Sequence, residues 1–132
     1  PRGKSIDHEI YLQDIMATTL ELGDVSTPDS IDFKSFLNLA KGKDKKPLYP
    51  EGIYGAYMNY QRMIRKDNFK LLVYPKINKV LLFDLKNDPH EMNDLSNNPG
   101  YFERTKSMFR DLINLQIKMK DTLNLSHISL KI

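Results

Sequence analysis

Phe69-Lys70-Leu71-Leu72-Val73-Tyr74-Pro75-Lys76-Ile77-Asn78-Lys79-Val80-Leu81-Leu82-Phe83-Asp84 holds two runs of aliphatic and aromatic residues on either side of a short, proline-led connection. Runs of this length and type, bounded by Pro and Asn, read as β-strands joined by a hairpin. Alternation then assigns the faces. In the first run Phe69, Leu71 and Val73 share one face, and Lys70, Leu72 and Tyr74 the other. In the second, Val80 and Leu82 lie opposite Leu81, Phe83 and Leu85. An antiparallel sheet with one wet face alternates cleanly between apolar and polar. These strands are apolar on both sides, so each face of their sheet needs a cover.

Upstream, Ile53–Tyr57 and Gln61–Lys66 read as two further strands, linked by Met58-Asn59-Tyr60. Asp67-Asn68 connects the second to the third, and this pair tolerates the positive φ of a tight turn. Downstream, Tyr101, Phe102, Thr105, Met108, Phe109, Leu112, Leu115, Met119 and Leu123 recur at steps of three and four. That period predicts an amphipathic helix over about residues 100–121, with Asn98-Pro99 as its cap and first position. The expected fold class is α+β: a four-stranded antiparallel sheet over 53–57, 61–66, 69–74 and 80–84, packed on one face by a long C-terminal helix.

The remaining segments are shorter. Ile6–Leu12 reads as a strand, and Asp14 as the N-cap of a helix that Gly23 stops. Ile31–Leu39 reads as a short helix or turn, and Ala40–Pro50 as a lysine-rich surface linker. Asp88-Pro89-His90-Glu91 reads as a capping box, with Asp88 as cap, Pro89 at the first helical position and Glu91 at the third. The expected division is 1–50 as the end of a larger domain with its linker, and 51–132 as a sheet-plus-helix subdomain. Beyond the N-terminal helix, the second face of the sheet has no obvious cover within this chain, and a larger body outside it is the expected one.

Composition narrows the function classes. The chain has 132 residues, 40% hydrophobic and 28% charged, with a formal net charge of +3. That balance belongs to an ordinary globular domain. It is too mild, and too evenly mixed in sign, for a nucleic-acid binder. There is no cysteine, hence no disulfide, thiolate metal site or cysteine nucleophile. No apolar run approaches the ~20 residues that span a bilayer, and no signal-peptide pattern is visible. The chain opens on Pro1 and is read as a piece of a longer protein.

Phe83-Asp84-Leu85-Lys86-Asn87-Asp88-Pro89-His90-Glu91-Met92-Asn93-Asp94-Leu95 resembles the L-[FY]-D-L-x-x-D-P-x-E-x-x-N-L pattern near the C-terminus of sulfatases of the alkaline-phosphatase superfamily. Asn93-Asp94 departs from the usual pair there. Tyr60-Gln61-Arg62-Met63-Ile64-Arg65 followed by Phe69-Lys70-Leu71 is similar to the strand pair that precedes the pattern in that family. The segment Leu12–Gly23 looks like the upstream D-[IL]-[MA]-P-T-L-L-x-L-A-G motif, with Ala17 in place of proline, and Pro1–Ser5 resembles the run before that.

The resemblance implies the C-terminal subdomain of an α/β sulfatase fold, with the catalytic domain upstream as its partner and a sulfated small molecule or glycan as substrate. It also implies calcium and a formylglycine nucleophile, both outside this chain. No C/S-x-P-x-R string, acidic pair or Asp-His-Gly string occurs here to carry them, so no catalytic or metal-ligating residue is expected in this chain. Family members are often periplasmic, secreted or lysosomal.

Within the chain, substrate contact is expected from the first hairpin. Tyr57, Asn59, Gln61 and Arg62, with Tyr60, gather aromatic, amide and guanidinium groups at one turn. Such groups stack on sugar rings and bond hydroxyls or carboxylates. The plainer reading packs the tyrosines and pairs the arginine with an acid. His8, His90 and His127 fall in no metal-ligand spacing. The lysines of Lys41–Lys46 read as solvated rather than as a polyanion site. Two other functions stay open: a phosphonate or phosphate ester hydrolase of the same superfamily, and a free-standing polyanion-binding module. Doubly apolar strands weigh against the last, because a free module would expose an associating patch.

Overall fold

The computed structural model describes residue 3 and residues 5–130. The resemblance at Pro1–Ser5 therefore lies largely outside the described residues. Two compact units are present, residues 1–50 and 51–132.

The second unit holds a four-stranded antiparallel meander in the order β1-β2-β3-β4, with β1 at Ile53–Tyr57, β2 at Gln61–Lys66, β3 at Phe69–Tyr74 and β4 at Lys79–Asp84. The long helix, α3 below, runs Phe102–Lys118 behind a 3-10 turn at Pro99–Tyr101. The α+β expectation thus stands, and the helix ends three residues before Asp121. Asp67 and Asn68 carry φ of 52° and 62°, the left-handed pair that closes a two-residue hairpin. Gly52 enters β1 at φ +103°, where a Cβ would sit 2.8 Å from the Arg65 carbonyl oxygen, so no side chain fits.

Register explains the packing. Tyr54, Ile64, Leu71 and Leu82 align across the sheet on one face. That face meets Met108, Leu112 and Leu115 of α3, and Leu125 from beyond the helix joins them. Ile64, Leu71, Leu82 and Leu112 are wholly buried. Each such side chain contributes about 1.5–3 kcal/mol of transfer free energy. Lys66 to Asp111, at 2.7 Å, holds the helix flank to β2. On the opposite face Leu72 and Phe83 are buried, while Met63, Tyr74 and Leu81 are half-buried.

The Asp88–Glu91 capping box does not form. Asp88 accepts from the Asn93 amide at 2.7 Å, Glu91 has φ +55°, and no helix follows. The Glu91 carboxylate instead pairs with Lys70 of β3 at 2.8 Å. The chain then runs along the free edge of β4: Leu95 donates to the Leu82 carbonyl, and Asp94 accepts from the Leu82 amide. These long-range bonds win over the local capping signal, because they satisfy edge groups that a new helix would leave open.

In the first unit, α1 spans Asp14–Leu22 and α2 spans Leu37–Ala40. Gly23 ends α1 as expected, donating to the carbonyls of Thr19 and Leu20. The strand expected at Ile6–Leu12 is absent, since those residues pair with no other strand. Asp14 is not an N-cap. It is the first helical residue, wholly buried, and accepts from the Tyr11 amide at 2.8 Å, the Lys34 amide at 3.0 Å and the Tyr49 hydroxyl at 2.6 Å. Burial, then the bond to Asp14, raises the Tyr49 phenol above its ordinary pKa. Tyr49 thus anchors the end of the expected linker, while Lys41, Lys43, Lys45 and Lys46 are exposed.

Candidate functional site: the first hairpin turn

A meander places alternate turns at the same end of the sheet. The β1–β2 turn, Met58-Asn59-Tyr60, therefore lies beside the Pro75–Ile77 turn between β3 and β4. Tyr57 is 62% exposed and Tyr60 47% exposed. Their rings stand 6.3 Å apart at 32°. Lys76 reaches across from the neighbouring turn, with its ammonium 4.0 Å from the Tyr60 ring centroid, a cation–π contact. Asn59 is exposed and Gln61 half-buried. The result is an open aromatic, amide and ammonium surface at one end of the sheet. Its tyrosine faces suit a sugar ring, and its lysine suits an anion.

Strand alternation divides the residues expected at this site. Tyr57 and Gln61 are register partners on the face away from α3. Arg62, one residue on, points to the helix side and is buried. Its Nη1 donates to the carbonyls of Met58 at 2.6 Å and Gln61 at 2.8 Å. Its Nη2 donates to Asp121 Oδ1 at 3.0 Å. Nε lies 2.5 Å from Asp121 Oδ2, a charge contact whose N–H is not aligned as a hydrogen bond. The Tyr54 hydroxyl donates to the same Oδ2 at 2.6 Å. The structure thus gathers Tyr57, Asn59, Tyr60 and Gln61 on the turn and sets the Arg62 guanidinium behind it. Lys76 escaped the sequence reading. The signal for it is topological: in a meander, the first and third turns share an end.

Burial raises the Asp121 carboxyl, but the bonds from Arg62, Tyr54 and the Leu123 amide outweigh it and hold the pKa below the usual carboxylate range. Burial, then the bond to Asp121, raises Tyr54. A depressed carboxylate contributes stability that is fully present above its unfolded value, about 3.9, and is lost as pH falls through the lower folded value. The difference in stability between this protein and Asp121→Asn is expected to stay flat from about pH 5 to 7 and to shrink below about pH 4. Urea midpoints across that range check it, and a difference that shrinks between pH 7 and 5 would assign the titration to another group.

Among the described residues, no three His, Asp or Glu side chains gather where they could hold a metal ion. His90 is exposed in the loop after β4, and the His127 ring bonds the Pro75 carbonyl oxygen at 3.0 Å.

The N-sulphoglucosamine sulphohydrolase C-terminal family matches residues 1–118. An arylsulfatase of Clostridium perfringens is 30% identical over 115 residues, covering 85% of this chain and 24% of its own length. The solved structure of BT4656 in complex with its substrate D-glucosamine-2-N,6-O-disulfate superposes with a TM-score of 0.72 at 26% identity, covering 83% of this chain and 24% of that one. A phosphonate monoester hydrolase of Agrobacterium radiobacter superposes with a TM-score of 0.65 at 18% identity, over 88% of this chain and 26% of that one. That last likeness is one of fold alone. The chain therefore spans about a quarter of the length of each of these proteins.

Proposed function

This chain belongs to the N-sulphoglucosamine sulphohydrolase C-terminal family, and on that premise we propose that it is the C-terminal part of a sulfatase that hydrolyses sulfate esters. It supports a catalytic domain upstream and lends its first hairpin turn to the rim of the substrate pocket. Calcium and formylglycine come from that upstream domain. The doubly apolar sheet supports the first role, because on the face away from α3 the apolar side chains Met63, Tyr74 and Leu81 are only half-buried, residues suited to packing rather than to water. The second role rests on one observation: the exposed Tyr57–Tyr60 pair with Lys76 above it. A ring to stack on and a cation beside it match the two halves of a sulfated sugar. The BT4656 complex, with its disulfated glucosamine, supports that substrate class.

The test is made on the full-length protein. D-glucosamine-2-N,6-O-disulfate is expected to be desulfated, and Tyr57→Ala is expected to raise KM about 3- to 10-fold, the value of one aromatic contact, with kcat little changed. An unchanged KM in both Tyr57→Ala and Gln61→Ala would remove this turn from the pocket. Faster turnover of a phenyl phosphonate monoester than of any sulfate ester would move the protein to the phosphonate hydrolases, whose fold it shares.

A further inference from the structure

Arg62 is built as a bridge. One side of its guanidinium grips the Asp121 carboxylate, and the other grips the carbonyls of Met58 and Gln61. Those carbonyls belong to the hairpin turn. Met58 is a non-glycine residue at φ +44°, a left-handed conformation that persists where surroundings hold it. The carbonyl of this strained residue is the acceptor of the 2.6 Å bond from Arg62.

The anchor at the other end is just as determined. Helix α3 closes with Lys120 at φ +56°, Asp121 donating to the Gln116 carbonyl and Lys120 to the Ile117 carbonyl. That pattern is a Schellman motif with lysine where glycine is usual, and it turns the chain back sharply. Gln116 Nε2 then donates to the Leu123 carbonyl at 2.6 Å, and the Leu123 amide to Asp121 Oδ1 at 3.0 Å. The reversed chain delivers the Asp121 carboxylate to Arg62, with the Tyr54 hydroxyl on its remaining oxygen. Asp121 lies beyond residue 118, where the family match ends.

We infer that Arg62, Asp121 and Tyr54 form a positioning clamp through which the end of α3 fixes the β1–β2 turn, and with it the attitude of Tyr57, Asn59 and Tyr60. The consequence for substrate rests on the pocket-rim reading above; the clamp itself does not. Arg62 acts through the turn and makes no contact with substrate. Residues after the helix thereby tune a surface that lies some sixty positions earlier in the chain.

The experiment uses the full-length protein with Arg62→Lys and Asp121→Asn. Lysine keeps the charge, but its single nitrogen cannot grip the carboxylate and both carbonyls in the same planar fork. Amide hydrogen exchange at Met58–Gln61 is expected to rise about tenfold in each variant, the worth of one charge-assisted hydrogen bond, while Ile64 and Leu71 change less than about twofold. KM for D-glucosamine-2-N,6-O-disulfate is then expected to rise with kcat within about twofold. Exchange that rises equally at the turn and at Ile64 and Leu71 makes the trio a structural ion pair only, and overturns the clamp. Faster exchange confined to the turn with KM unchanged supports the clamp and overturns the pocket-rim reading. If Asp121→Asn does not fold, Arg62→Lys and Tyr54→Phe carry the same comparison.

Discussion

Truncating Leu112 to alanine is expected to destabilise the sheet–helix unit by about 3–5 kcal/mol, the upper part of the range for buried leucines. Leu112 is wholly buried at the middle of α3. It belongs to one cluster with Ile64, Leu71, Val73 and Leu82 from three strands, and with Met108 and Leu115 of its own helix. A sheet pinned by β hydrogen bonds cannot close down on a missing isobutyl group, so the cavity stays open and its cost is paid in full. Urea unfolding followed by circular dichroism reads the effect as a lowered midpoint at unchanged slope. A loss under about 1 kcal/mol would mean that α3 does not pack on this face.

Replacing Asp14 by alanine should cost residues 5–50 about 3 kcal/mol or more, since buried donors without an acceptor cost about 1–3 kcal/mol each. Three groups converge on that carboxylate, the nearby Tyr11 amide and, from distant positions, the Lys34 amide and the Tyr49 hydroxyl. Thr18 extends the network, accepting from the Phe36 amide and donating to the Asp14 carbonyl. Asp14→Asn keeps one oxygen acceptor but turns an NH2 toward a donor, so an intermediate loss is expected. The Lys34 amide should exchange with solvent faster in both variants. Protection at Lys34 that survives Asp14→Ala would show that the loop is held elsewhere.

The legible parts of this protein are those whose signal is periodic or local. Strand alternation in 69–74 and 80–84, the Asp67-Asn68 turn and the three-four spacing of α3 each restrict the backbone within a few residues, and the structure keeps all of them. The family pattern around Phe83–Leu95 was equally legible as a string. Its shape was not. A capping box and an edge-following loop share the same Asp-Pro-x-Glu letters, and the choice between them lies with Lys70 and Leu82, which sit on other strands.

The candidate site divides along the same line. As candidates, Tyr57, Asn59, Tyr60 and Gln61 were legible because aromatic and amide groups crowd one turn in the sequence. Lys76 was not, because the contact with Tyr60 exists only once the meander brings the first and third turns together. Adjacency in sequence groups Arg62 with Gln61, yet neighbouring strand residues point to opposite faces, and its partner Asp121 is 59 residues away. Asp14 reads from its neighbours as a helix N-cap, while its carboxylate answers to Lys34 and Tyr49. The four strands, the long helix, their order and the family are legible along the chain, because periodicity, turn chemistry and motif strings are properties of neighbouring residues. Where the charged and hydroxyl-bearing side chains make their hydrogen bonds is settled in three dimensions, because a buried polar group takes whichever partner the fold brings within about 3 Å, however far apart the two lie along the chain.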